Sequence, residues 1–200
     1  SDYFGTRNQF KKDIMTEIAA VLSFSAINNQ DKVGVIFFSD KVEKYIPPKK
    51  GKQHILRIIR ELLNFKPQNS RTNITEALRF FNNLTKKKNI AFLMSDFLDQ
   101  DYDKALRIAS SKHDFVGVRI YDQREQTIPN LGLVRFYDPE IKTARWIDTS
   151  SKKVRQAYED WYKKLDRYIR KSFTLSGADL INIRTDEPYT NALINFFEKR

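Results

Sequence analysis

NIAFLMSDF, residues 89–97, is a strongly hydrophobic short run whose apolar stretch IAFLM leads into Ser95 and Asp96. Its length and continuity predict a buried strand at the centre of a mainly parallel sheet. The stretches around it alternate between helical and strand patterns, as a sheet covered by helices on both faces requires. Before it, SRTNITEAL (70–78) opens a helix reaching about Leu84, with Ile74, Ala77, Leu78 and Phe81 inward. After it, a short helix near 102–111 leads to DFVGVRIYD (114–122), another buried strand.

Farther out, a first helix is expected from Asn8 to Asn28, with Phe10, Ile14, Ile18, Val21 and Leu22 at helical spacing. KVGVIFFS (32–39) is too continuous for a one-sided strand and is expected to be buried on both faces. Asp40 and Lys41 turn it into VEKYIPP (42–48), an antiparallel edge strand, because proline cannot serve a central ladder. A helix from Lys52 to Leu63 follows. LVRFYDPE (133–140) and TARWIDT (143–149) read as an added hairpin. A helix from Ser151 to Leu175, presenting Tyr158, Trp161, Tyr162, Leu165 and Ile169, leads to the strand DLINIRT (179–185) and a closing helix, YTNALINFFEK (189–199). No repeat or linker divides the chain, so residues 1–200 read as one α/β domain.

Composition narrows the function. The chain is 40% apolar with sparse glycine and proline, which supports a packed core and argues against disorder. It has no cysteine, no apolar leader and no run long enough to span a bilayer, as expected of a soluble, cytoplasmic chain. The net charge of +11 is densest in PPKKGK (47–52) and KKK (86–88), which keeps a nucleic-acid module on Lys49, Lys50, Lys52, Lys86, Lys87 and Lys88 as an alternative. Neither cluster is interleaved with aromatics as a single-strand groove would be.

Sites in open α/β sheets form beyond the carboxyl ends of strands. Those ends carry Ser39-Asp40, Ser95-Asp96 and Tyr121-Asp122, with Asp186 and Glu187 following the last strand. A carboxylate at the mouth of a buried strand needs solvent, a cation or hydrogen-bond donors. Thr72 precedes a helix, where its hydroxyl either caps the first turn or points toward Asp96 to ligate a hard ion such as magnesium. His54 and His113 have no serine or cysteine partner nearby in sequence. No GxSxG elbow, phosphate loop or HExxH occurs, so a metal-dependent hydrolase is the least supported reading.

The runs FGT (4–6), KVGVIFFSDKVEKYIPPKKGKQHILRIIREL, SRTNITEAL, IAFLMSDFLD and HDFVGVRIYDQREQTIPNLGLVRFYDPE resemble a bacterial family of von Willebrand factor A-like proteins. That family is domain of unknown function family 58, whose genes are often associated with MoxR-type AAA+ ATPases. The resemblance covers nearly the whole chain and implies a Rossmann-like sheet with a metal-ion-dependent adhesion site. It assigns Thr72 as the site's threonine, Asp96 as its later aspartate and Ser1 as the last serine of D-x-S-x-S; around such a site Asp40, Asn73 and Asp99 are expected to shape the rim. The aspartate and first serine of that motif, and the strand bearing them, would precede residue 1. The expectation is therefore a fragment whose sheet closes up, borrows a strand or pairs with another copy. Function is expected to be non-enzymatic protein binding through magnesium or another divalent ion, the partner being a MoxR-type ATPase or its client.

Overall fold

The computed structural model describes residues 2–69, 71–138 and 143–199. Its elements run α1 (Asp2–Asn28), β1 (Val33–Phe38), β2 (Val42–Lys49), α2 (Lys52–Asn64), α3 (Ile74–Leu84), β3 (Ile90–Ser95), α4 (Asp103–Lys112) and β4 (Asp114–Tyr121). A 3₁₀ helix (Gln123–Gln126) precedes β5 (Leu133–Asp138), β6 (Thr143–Asp148), α5 (Lys152–Ser176), β7 (Asp179–Arg184) and α6 (Tyr189–Phe197).

β3, β4 and β7 form a parallel sheet with β4 in the middle. Period-two alternation divides the β4 side chains between two cores. Phe115 packs among Leu78, Leu106, Leu165, Ile169 and Phe173, which are supplied by α3, α4 and α5. Val116, Val118 and Ile120 pack on the other face against Ile14 and Ile18 of α1 and Leu193 of α6. Gly117 is required by close packing, since a Cβ there would overlap the Phe173 ring. At the carboxyl end of α5, Gly177 takes φ 67° and closes the helix in the left-handed conformation.

Four expectations are corrected. IAFLMS is an edge strand of this sheet, because only β4 lies beside it among the described residues. KVGVIFFS does not enter the parallel sheet. It forms an antiparallel ladder with β2 alone, and Phe37 is the buried residue of β1. That pair keeps its own core of Phe37, Ile46, Ile55 and Ile58 against α2. The expected mainly parallel sheet is therefore three ladders among the described residues: the parallel one, β1–β2, and the β5–β6 hairpin. In α1, Ile14 and Ile18 are buried as expected, but Phe10 is 52% and Val21 49% exposed. They fall outside the stripe that faces the sheet. No helix among the described residues is long and apolar enough to cross a membrane.

Candidate functional site

The carboxyl ends of β1 and β3 are joined through the start of α3. Asn73 donates its backbone N–H to the Ser39 carbonyl at 2.8 Å. The Asn73 side chain then accepts from Glu76 N at 2.9 Å and caps the helix. The capping role open to Thr72 thus falls one residue later, and Thr72 is left exposed. Asp99 Oδ2 accepts from Ile74 N at 2.7 Å, while its Oδ1 accepts from Gln100 N at 2.8 Å. A carboxylate at a helix amino terminus satisfies an orphan donor and meets the positive end of the helix dipole.

Asp40 is held on the same side. Its Oδ1 accepts from the Asn69 amide at 2.9 Å and from Ser39 Oγ at 3.1 Å. The bond from Asn69 holds the Asp40 carboxyl below the ordinary carboxylate range; the Ser39 hydroxyl and Lys41 add to that, against a smaller upward push from burial.

The turn after β3 carries strain. Phe97 has φ 58° and its ring is fully buried in the core against Phe173. Its N–H donates to Ser95 Oγ at 3.0 Å. A bulky residue in the left-handed region costs about 1–3 kcal/mol and persists where the surroundings fix it. Burying Phe97 sets the backbone from which Asp96 and Asp99 project.

Asp96 stands between solvent and an internal cation. Its Oδ2 lies 3.8 Å from Lys11 Nζ, and its Oδ1 accepts from Leu98 N at 3.4 Å. The same ammonium is 2.7 Å from Glu125 Oε1. Lys11 and Glu125 were not singled out by the sequence. The signal was present for Lys11, which lies on the helical stripe of Ile14, Ile18 and Leu22. Arg119 was missed as well: a charge inside a buried strand, 1% exposed, bonded to Asp166 and donating to Tyr162 Oη at 3.1 Å.

The structure therefore brings Asn73 and Asp99 together, and Asp40 to the same strand-end surface through Ser39. Asp96 is engaged by Lys11 instead, and Ser1 lies outside the described residues. Among the described residues, no three carboxylate or imidazole groups gather into a set able to hold a metal ion. Asp99 and Asp40 direct oxygens at N–H and O–H donors, and Asp96 faces an ammonium. In this arrangement those oxygens are occupied by protein donors, which a divalent ion would have to displace.

Both histidines are structural and lie toward the amino ends of the strands. His54 Nε2 bonds the Val33 carbonyl at 2.9 Å. His113 Nε2 meets Thr85 Oγ1 at 3.2 Å, and its Nδ1 accepts from Asn89 N at 3.3 Å. Lys49, Lys50, Lys52, Lys86, Lys87 and Lys88 are exposed, and they too flank the amino ends of β1 and β3, away from the rim.

A model of the family described as "Protein of unknown function DUF58" matches residues 1–167. The uncharacterized protein Rv1480 of Mycobacterium tuberculosis (strain ATCC 25618 / H37Rv) is 22% identical over 98% of this chain and 63% of its own length. The uncharacterized protein MAV169 of Mycobacterium avium is 19% identical over 78% of this chain and 93% of its own. The chain thus spans 63% of the longer relative. The crystal structure of the conserved hypothetical protein BatB from Bacteroides thetaiotaomicron covers 92% of this chain and 89% of its own at 13% identity, with a TM-score of 0.49.

Proposed function

The chain belongs to the DUF58 family, and on that premise we propose that it is a non-enzymatic protein-interaction domain whose contact surface is the rim at the carboxyl ends of β1 and β3. The observation that carries this reading is how the rim is held. Asn73 N to Ser39 O and Ile74 N to Asp99 Oδ2 tie three segments together, while Thr72 is exposed and Asp96 is part-exposed. A polar surface ordered before contact loses less entropy on binding. With both histidines engaged elsewhere, the rim offers no imidazole for proton transfer.

The partner proposed is a MoxR-type AAA+ ATPase or a client it remodels. The von Willebrand factor A-like resemblance supports this reading. The same resemblance suggests magnesium held by Ser1, Thr72 and Asp96, and the test separates that form from a metal-free contact. Binding of a purified MoxR-type ATPase is measured by calorimetry with magnesium and with chelator, for the unaltered chain, Thr72→Ala and Asp96→Ala. The rim reading expects both substitutions to weaken binding roughly tenfold or more, about 1.4 kcal/mol, with circular dichroism unchanged. Full affinity in both variants would remove the rim from the contact. Loss of binding in chelator alone would favour the metal-dependent form.

A nucleic-acid reading keeps one supporting observation, the exposure of both lysine clusters toward one end of the strands. It expects oligonucleotide affinity to fall steeply with salt and to be lost in Lys49→Glu/Lys50→Glu, while Asp96→Ala leaves it intact.

A further inference from the structure

We infer that Lys11 is the resident cation of the rim: its ammonium neutralises Asp96, and a divalent ion reaches that carboxylate only by displacing it. This deepens the reading of the rim as a contact surface, because it fixes the charge that a partner meets.

Lysine is almost never fully buried unless paired. Lys11 is 8% exposed and projects from the α1 stripe that packs on the sheet, so its charge needs compensation inside the protein. Two carboxylates supply it, Glu125 at 2.7 Å and Asp96 at 3.8 Å. Both are placed by other constraints. Glu125 is the third residue of a capping box with Asp122, and its carbonyl accepts from Tyr158 Oη at 2.8 Å. Asp96 is aimed by the left-handed Phe97 beside it. One ammonium thereby ties α1 to the turns that leave β3 and β4.

The consequence for cations follows from charge. Magnesium sits about 2.1 Å from a carboxylate oxygen. With Asp96 Oδ2 3.8 Å from Nζ, an ion on that oxygen would lie within about 6 Å of the ammonium, well inside the Debye length of about 8 Å. The lysine and a divalent ion thus compete for one carboxylate. Without the lysine charge, Asp96 and Glu125 become two oxygen donors flanking one place.

Manganese is the probe. It is titrated by calorimetry into the 200-residue chain, into Lys11→Met, which keeps the apolar stem, and into Lys11→Met/Asp96→Asn. Lys11→Met is expected to bind manganese at least roughly tenfold more tightly than the unaltered chain. Removal of Asp96 should abolish the gain. Equal affinity in the unaltered chain and Lys11→Met overturns the inference, as does a gain that survives Asp96→Asn. A second measurement needs no variant: reductive methylation of the unaltered chain, mapped by mass spectrometry. Lys11 should react far more slowly than exposed Lys87, and equal rates also overturn the inference. Neither experiment uses a partner, so failure of partner binding leaves this result readable, and the converse holds.

Discussion

β4 has strands on both sides, and six of its eight residues are buried; among the described residues β3 has one neighbouring strand, and two of its six are buried. The two strands share a ladder, and β3 (IAFLMS) is the more apolar in sequence of the two. What separates them is the second neighbour, and it changes how each holds the loop at its carboxyl end. β4 passes into a capped 3₁₀ helix with Glu125 already fixed. β3, paired along one edge alone among the described residues, is anchored at its exit by Phe97, which sits in the left-handed region with its ring in the core. The candidate rim is thus built on strands that pair on one side among the described residues, and it is steadied by its loops. Local stability follows burial and contact density, so β3 should open more readily than β4.

The sharpest way to break this comparison is at the anchor. Phe97→Ala should cost about 3–5 kcal/mol in urea denaturation, the range for a fully buried phenylalanine. It should also release Asp96 and Asp99 from their positions. A loss below 1 kcal/mol would mean that the ladder, not the loop, holds the end of β3. A smaller pair of changes tests the strands themselves. Ile120→Ala in β4 should fall in the range of about 2–5 kcal/mol for a buried aliphatic, and Met94→Ala in half-buried β3 should cost less than half as much. Hydrogen exchange gives the same order without substitution, with β4 amides slowest. Equal protection of β3 would show that its other edge is covered in solution.

That difference marks the limit of what the residues alone conveyed. Element types and most boundaries were legible, because helical and strand periods differ and because Asp40-Lys41 and the prolines of β2 are strong local signals. IAFLMS and FVGVRI carry no mark of which is central, since that depends on which strands lie alongside. Phe10 and Val21 satisfied an apolar helical pattern yet lie off the packed stripe. At the site, Asp40 was legible as a strand-end residue, whereas Asn73 and Asp99 were expected only as neighbours on the rim. Asp96 was legible as a carboxylate needing a partner, but not that the partner is Lys11, drawn from a distant helix. Single lysines on amphipathic helices are usually solvated, so only the three-dimensional meeting with Glu125 distinguishes this one.

Removing one cap tests the rim more gently. Asp99→Ala takes the carboxylate from Ile74 N and Gln100 N, and should cost about 1 kcal/mol, the usual value of an N-terminal cap. Asp99→Asn should recover part of it, since the amide oxygen can still accept. The effect should stay local, slowing partner binding at the rim without altering exchange in β4.

The smallest effect belongs to the opposite end of the same strands. His113 is buried beside the start of β4, and its Nδ1 accepts from Asn89 N–H. Burial, helped by Lys112, lowers its pKa below the usual 6.5. Protonation would place an N–H against another N–H, which works in the same direction. Between the lowered folded value and about 6.5, the unfolded chain binds more protons than the folded one. The His113 contribution is therefore full above pH of about 6.5 and declines as pH falls through the folded value. One titrating group limits the slope to about 1.4 kcal/mol per pH unit. Measured from pH 7.5 to 5, the stability of the unaltered chain should show this decline and His113→Gln should lack it. Asp96→Ala, at the carboxyl end of β3, should leave it in place, because the amino end of the ladder is closed by its own hydrogen bonds and does not depend on the rim.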